Sequence, residues 1–472
     1  MATIAEFELE YTRAISEGYA AVFAGAGLSR ASGYASWKDL IRPFAKEIKL
    51  CVDKESDLIS LTQFYVNERG NRSAINQKIL NEFTKETVKN DNINILTRLP
   101  ISTYWTTNYD KLIEEGLKDN NRKPDVKTTE LSLASNIYDR DAVVYKMHGD
   151  VNCPDSAILT KDDYESYNHT HPLFKTTLQG DLVTKTFLFI GFSFDDPNLN
   201  HILGQIRILL KSSVREHYCF FKKITRSKGE LDKDFNYREI QQELRIKDLH
   251  RYGIQAVELD SYDDITGIFN NIEQRYLLKS IFISGTVEKA YEPWDDNKIE
   301  NFIYRLAQKL VEKDYRIVSG FGYMVGSCII NGGLTEIMKS KYKHVDKHLC
   351  LRPFPQNIQD SAERNKKFKA YREDMISQAG IAVFIFGNKK VNNNIIDDSN
   401  GMMSEFIIAK EQHKIIIPIG STGGEAKKIY DKVKSELTAY SYLTDFIDEL
   451  GSVTDPNKLV ELIYNIILAQ QI

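Results

Sequence analysis

The chain of 472 residues is longer than one hydrophobic core usually serves, so two domains are expected. Hydrophobic residues at 42% and charged residues at 27% are ordinary globular proportions and exclude a disordered or fibrous class. A net charge of -4 carries no polybasic signature, which argues against nucleic-acid or anionic-membrane binding as the main activity.

Five cysteines, odd in number, widely spaced and without a CxxC pair, suit reduced thiols in a cytoplasm. The opening MATIAEFELEYTR is acidic where a signal peptide needs a basic start, and no apolar stretch approaches the ~20 residues of a membrane span. A cytoplasmic protein with no membrane segment is expected.

Short apolar runs at Tyr19 to Ala24, Ile101 to Thr106, Ala142 to Met147, Thr186 to Ile190, His217 to Phe221 and Ile254 to Leu259 alternate with amphipathic segments. That alternation predicts buried parallel strands joined by crossovers, an α/β domain. A second series follows at Ser280 to Ser284, Tyr315 to Ser319, His348 to Arg352, Ile381 to Phe386 and Lys414 to Ile419. The two domains are expected over 1-275 and 276-472, with a short helix within Ser261 to Lys279 at the join and an irregular loop over Asn388 to Gly401.

In the first series the strand ends carry the chemistry. Gly25-Ala26-Gly27-Leu28-Ser29 follows the first strand, where glycines admit a pyrophosphate to the backbone; the same residues also fit a plain strand-to-helix turn. Thr106-Thr107-Asn108-Tyr109-Asp110 closes the second run, and its Asn or Asp can equally cap the next helix. Lys146-Met147-His148-Gly149-Asp150 places at a strand end a histidine able to act as a base near neutral pH, although a lone histidine is usually structural. Gly191 to Asn198, GFSFDDPN, can meet a ribose or simply cap a helix.

In this order the four motifs resemble the sirtuin family over roughly residues 10 to 270. The resemblance implies NAD+ as substrate: Gly25, Ala26, Gly27 and Ser29 at the diphosphate, Asn108 and Asp110 at the nicotinamide ribose, His148 as the base, and Ser193 on the adenosine side. The zinc module of protein-deacylating sirtuins needs two CxxC pairs and none is present, so no metal is expected. RASGYASW replaces the usual GIPDFR-type segment, which turns the expectation from deacylation to hydrolysis, with water accepting the ADP-ribosyl group. Asn108, Asp110 and His148 are then the catalytic candidates.

In the second series, Ile281 to Gly285, Ile317 to Gly322, Gly326 and Ser327 resemble the SLOG nucleotide-sensing fold, while ordinary α/β turns account for the same glycines. The PGGxGT signature of the related LOG phosphoribohydrolases is missing, which favours sensing over catalysis. Arg352, Arg372, Lys389 and Glu405 fall at the matching edge, Arg and Lys as phosphate donors and Glu as an acceptor for ribose hydroxyls.

A zinc-less sirtuin-like domain followed by SLOG resembles the effector family of the Thoeris anti-phage system. The resemblance implies an NAD+ hydrolase activated by a cyclic ADP-ribose isomer that a TIR-domain partner makes, assembled as a homotetramer, acting by abortive NAD depletion. It places the signal at Gly285, Gly322, Gly326, Arg372, Lys389 and Glu405. Two alternatives stand beside it: an NAD-dependent protein deacylase, and a sirtuin-like effector triggered by another partner.

Overall fold

The computed structural model describes every residue except 56, 195, 211–214, 391–395, 399 and 471–472. The chain divides into two compact units, Met1–Glu273 and Gln274–Ile472. The division falls inside a helix, Asp264–Leu277, that occupies the segment where a helix was expected.

The first unit is built on seven parallel strands: β1 (Ala20–Ala24), β2 (Thr103–Thr106), β3 (Pro124–Lys127), β4 (Ala142–Lys146), β5 (Thr186–Ile190), β6 (His217–Lys222) and β7 (Ile254–Leu259). Their order across the sheet is β3-β4-β2-β1-β5-β6-β7. Every residue of β1 and β5 is buried, because strands covered on both faces tolerate only continuous apolar sequence. Phe23, Trp105, Phe187 and Phe189 sit in one core cluster with Leu178 and Leu203 from the covering helices. Each such side chain contributes about 1.5–3 kcal/mol by leaving water.

The chain leaves β1 toward β2 on one side and leaves β5 toward β6 on the other. Between their carboxyl ends lies the switch point where open α/β sheets bind ligands. Five helices, Ala26–Arg30, Trp37–Glu47, Leu58–Arg69, Ser73–Phe83 and Asp91–Arg98, are inserted between β1 and β2 and wall that edge.

β3 was not expected. Its sequence PDVK lacks an apolar run, because Asp125 is satisfied by ion pairs with Lys127 at 2.9 Å and Arg140 at 2.6 Å rather than by apolar packing. As the edge strand, it pairs with β4 alone.

The second unit holds five parallel strands: β8 (Ser280–Thr286), β9 (Arg316–Ser319), β10 (Leu349–Leu351), β11 (Ile381–Phe386) and, after the hairpin below, β14 (Ile415–Pro418). Their order is β10-β9-β8-β11-β14, again with a switch point, here between β8 and β11. Helix Asp296–Glu312 buries Ile299, Phe302, Ile303, Leu306 and Leu310 at helical spacing against it. The irregular loop expected over Asn388 to Gly401 is in part a two-stranded antiparallel ladder, β12 (Asn388–Lys390) with β13 (Ile396–Asp398). Residues 391–395 and 399 of that loop lie outside the described residues. No helix among the described residues is long and apolar enough to cross a membrane.

Candidate active site

At the β1/β5 switch point the backbone turns interlock. A Cβ on Gly25 would stand 2.5 Å from the Gly191 carbonyl oxygen, and one on Gly27 would stand 2.7 Å from Gly191 Cα. The N–H groups of Gly25 and Gly27 donate to the carbonyls of Ile190 and Gly191 at 2.9 and 2.8 Å. Close approach of two strand ends therefore accounts for these glycines without a ligand, and neither N–H is free for a phosphate in this arrangement.

Beside the interlock lies a cavity of about 300 Å³. Ala26, Gly27, Ser29, Asn108, Asp110, His148 and Ser193 all line it, so the sequence-selected residues of four separate strand ends share one chamber. Gly25 is the one N-terminal candidate that does not reach it.

A hydrogen-bond chain orders the floor. Thr106 Oγ1 donates to Ala24 carbonyl at 3.0 Å and accepts the Asn108 N–H at 2.9 Å, fixing the turn after β2. Asn108 Nδ2 donates to Gly25 carbonyl at 3.1 Å and to Ser29 Oγ at 2.9 Å. Ser29 Oγ in turn donates to Asp110 Oδ2 at 2.7 Å, and Asp110 Oδ1 accepts the Leu112 N–H at 3.0 Å. Both protons of the Asn108 amide are thereby engaged, which leaves Oδ1 as its polar atom for a ligand. Burial pushes the Asp110 carboxyl up, opposed by the Ser29 hydroxyl and the Leu112 N–H.

The chain continues into the next strand end through Lys146, whose side chain is fully buried. Its ammonium meets Asp150 and Glu114 and donates to the carbonyls of Tyr109 and Asp110. Burial presses this lysine down, but the two carboxylates outweigh it and hold it above its ordinary value. One buried cation thus ties the Asn108 turn to the His148 turn.

His148 is 4% exposed, with Nε2 3.2 Å from Asp196 Oδ2 but not aligned for a hydrogen bond. Asp196 lies in the loop read as meeting a ribose or capping a helix, and it caps: its Oδ1 accepts the Leu199 N–H at 2.9 Å. Arg30 and Trp37, the first and last residues of the RASGYASW segment that departs from the sirtuin pattern, also line the cavity. Trp37 Nε1 is buried without an acceptor. Among the described residues no group of three or more His, Cys, Asp or Glu is placed to hold a metal ion.

In the second unit the candidates fall into smaller groups. A Cβ on Gly322 would stand 2.0 Å from the Gly285 carbonyl, and one on Gly326 would meet the Phe321 ring at 2.6 Å, so these glycines permit close packing at the ends of β8 and β9. Glu405 is buried. It accepts from Ser284 Oγ at 2.6 Å and faces Arg372 Nε at 3.3 Å. The Arg372 guanidinium lies 4.9 Å over Phe354. Arg352 pairs with Asp374 and lies 4.9 Å over Tyr371, a ring that meets Phe354 edge-on at 5.3 Å. Lys389 sits in β12, past the end of β11.

Comparison with known proteins follows the same two halves. Residues 102–246 match the SIR2-like domain, and residues 264–470 match the Sir2- and TIR-associating SLOG family. The chain is 46% identical over 435 residues to the NAD(+) hydrolase ThsA of Bacillus cereus (strain MSX-D12), covering 92% of this chain and 90% of that protein. It is 43% identical to the NAD(+) hydrolase ThsA of Cytobacillus dafuensis, covering 98% and 95% respectively. With the NAD(+) hydrolase ThsA of Acinetobacter baumannii (strain 532279) the identity is 41% over 96% of both. At such identity over nearly the whole of both chains, with a SIR2-like sheet followed by a SLOG unit, this chain belongs to the ThsA family of NAD(+) hydrolases.

Proposed function

We propose that residues 1-275 hydrolyse NAD+ to nicotinamide and ADP-ribose, and that residues 276-472 switch this activity on by binding a cyclic ADP-ribose isomer. The observation that carries the first half is the single cavity shared by Asn108, Asp110 and His148 at the switch point of a parallel sheet. Family membership supplies the substrate.

Cleaving the bond between ribose C1′ and the nicotinamide nitrogen sends the bonding pair to the leaving nicotinamide and builds oxocarbenium-like charge on the ribose. Water then adds at C1′ and loses a proton. Orientation and fixed dipoles serve this reaction more than a strong nucleophile does. Asn108 Oδ1, held by the two bonds on its Nδ2, orients the ribose or the incoming water. His148 takes the proton, Asp110 holds the nicotinamide end, and Ser193 lies toward the adenosine. With the Gly25 and Gly27 N–H groups engaged, Ala26 and the cavity wall are left to meet the diphosphate.

For the second half, Arg372 and Lys389 are the phosphate donors, Glu405 is the ribose acceptor, and Arg352 supports the edge-on aromatic pair Tyr371 and Phe354 beside Arg372. Gly285, Gly322 and Gly326 line the approach. The isomer comes from a TIR-domain partner, a source that the name of the matched SLOG family favours. The protein acts in the cytoplasm as a homotetramer, and NAD depletion halts the infected cell. An always active NAD hydrolase would harm its own cell, so the ligand must favour the active arrangement; a ~100-fold activation corresponds to about 2.7 kcal/mol of differential binding.

The test is purified protein with NAD+, with and without each cyclic ADP-ribose isomer, followed by chromatography of products. Nicotinamide and ADP-ribose in equal amounts, released faster with one isomer, are expected. Release that requires an added acyl-lysine peptide, or that no isomer alters, contradicts the proposal.

A further inference from the structure

The carboxylate that faces His148 is itself held in place. Asp196 Oδ1 is fixed by the Leu199 N–H at the start of helix Pro197–Leu210, which leaves Oδ2 to face the imidazole Nε2 at 3.2 Å. Oδ2 also accepts from the Tyr164 hydroxyl at 3.4 Å, and the Tyr164 ring stands edge-on to the imidazole at 5.5 Å.

The other titratable groups around this ring and its cavity are three tyrosines, His171, Asp110 and the cation Arg30. Tyr167 stands edge-on at 6.3 Å, with His171 stacked on it at 4.6 Å, and Tyr109 shares the cavity. Burial pushes the hydroxyls of Tyr109, Tyr164 and Tyr167 up, so all three are neutral near pH 7. Asp110 lines the same cavity but is directed to Ser29 and Leu112. Asp196 itself stays ionised: burial presses its carboxyl up, but His148 and the N–H groups of Leu199 and Asn198 outweigh that and hold it below its ordinary value.

We propose that Asp196 is the positioning residue of His148, holding the ring through Nε2 so that Nδ1 is left to take the proton, and stabilising the imidazolium once it forms. The proposal rests on His148 acting as the base in the reading above. A helix cap tethers the carboxylate, so the pair is oriented before substrate arrives.

Asp196→Asn and Asp196→Ser separate this role from the cap, because both replacements are good N-caps and keep the helix start. The full chain, labelled at histidine Cε1, is titrated by NMR, with the His148 signal assigned by its loss in His148→Ala. In both variants the His148 midpoint is expected to fall by about one pH unit, because a neutral side chain no longer favours the imidazolium. The acid limb of kcat/KM for nicotinamide release should move down with it, with kcat reduced roughly tenfold and KM for NAD changed less than about twofold. An unmoved midpoint in both variants overturns the proposal whatever happens to activity. A moved midpoint with an unmoved acid limb instead overturns the base role assigned to His148.

Discussion

Gly191 holds a φ of +64°, and a Cβ there would stand 2.1 Å from the Leu28 N–H nitrogen. Both the left-handed backbone and the contact exclude a side chain, since backbone on either side of the interlock has no rotamer with which to yield. Gly191→Ala is expected to cost roughly 1 to 3 kcal/mol in chemical unfolding and to weaken NAD binding as the turn withdraws. An unfolding midpoint matching wild type contradicts this. At Glu405, burial raises the carboxyl above its ordinary 4.5 against the opposing pull of Ser284 and Arg372. The folded chain therefore holds that proton more tightly than the unfolded one. The resulting stability is complete below 4.5 and is lost as pH rises through the raised value. Glu405→Gln cannot ionise, so it is expected to flatten the pH–stability curve between 4.5 and the raised value; parallel curves for the two proteins contradict the assignment.

Among elements, the turns after β2 and β4 are joined through Lys146. Its ammonium is enclosed by Glu114, Asp150 and two carbonyls of the Asn108 turn. Lys146→Met leaves two buried carboxylates without their cation, and a loss of about 3–5 kcal/mol in denaturant unfolding is expected. A loss below about 1 kcal/mol, the size of an exposed pair, contradicts it. The strand ends themselves were legible, because β1, β2 and β4 to β7 are apolar runs and the motifs follow most of them directly. β3 was not, since its buried Asp125 finds partners across the edge and not in the hydrophobic pattern. The same limit hid Lys146: it was visible within its motif, but Glu114 lies 32 positions away. The loop holding Asp196 showed only the choice between a ribose contact and a helix cap, because the Asp196 contact with His148 joins two loops far apart in sequence. The glycines of both units were legible as constrained positions, and the chain's own close packing explains them.

At the scale of the whole molecule, two similar sheets take different parts. Each has a switch point; Asn108, Asp110 and His148, proposed above for the hydrolysis, gather at the first, while the second gathers Arg372, Glu405 and Ser284. Arg372→Ala is accordingly expected to raise the isomer concentration for half-maximal activation about tenfold or more, with the maximal rate retained at saturation. A dose–response curve that coincides with wild type contradicts the assignment of this unit as the sensor.

The cavity shared by Asn108 and His148 remains the centre of the account. Its most direct test is calorimetric NAD binding together with nicotinamide release for Asn108→Ala and His148→Ala at saturating activator. Binding within a few-fold of wild type with release reduced by about 100-fold or more is predicted for each, and undiminished release by both variants would contradict it.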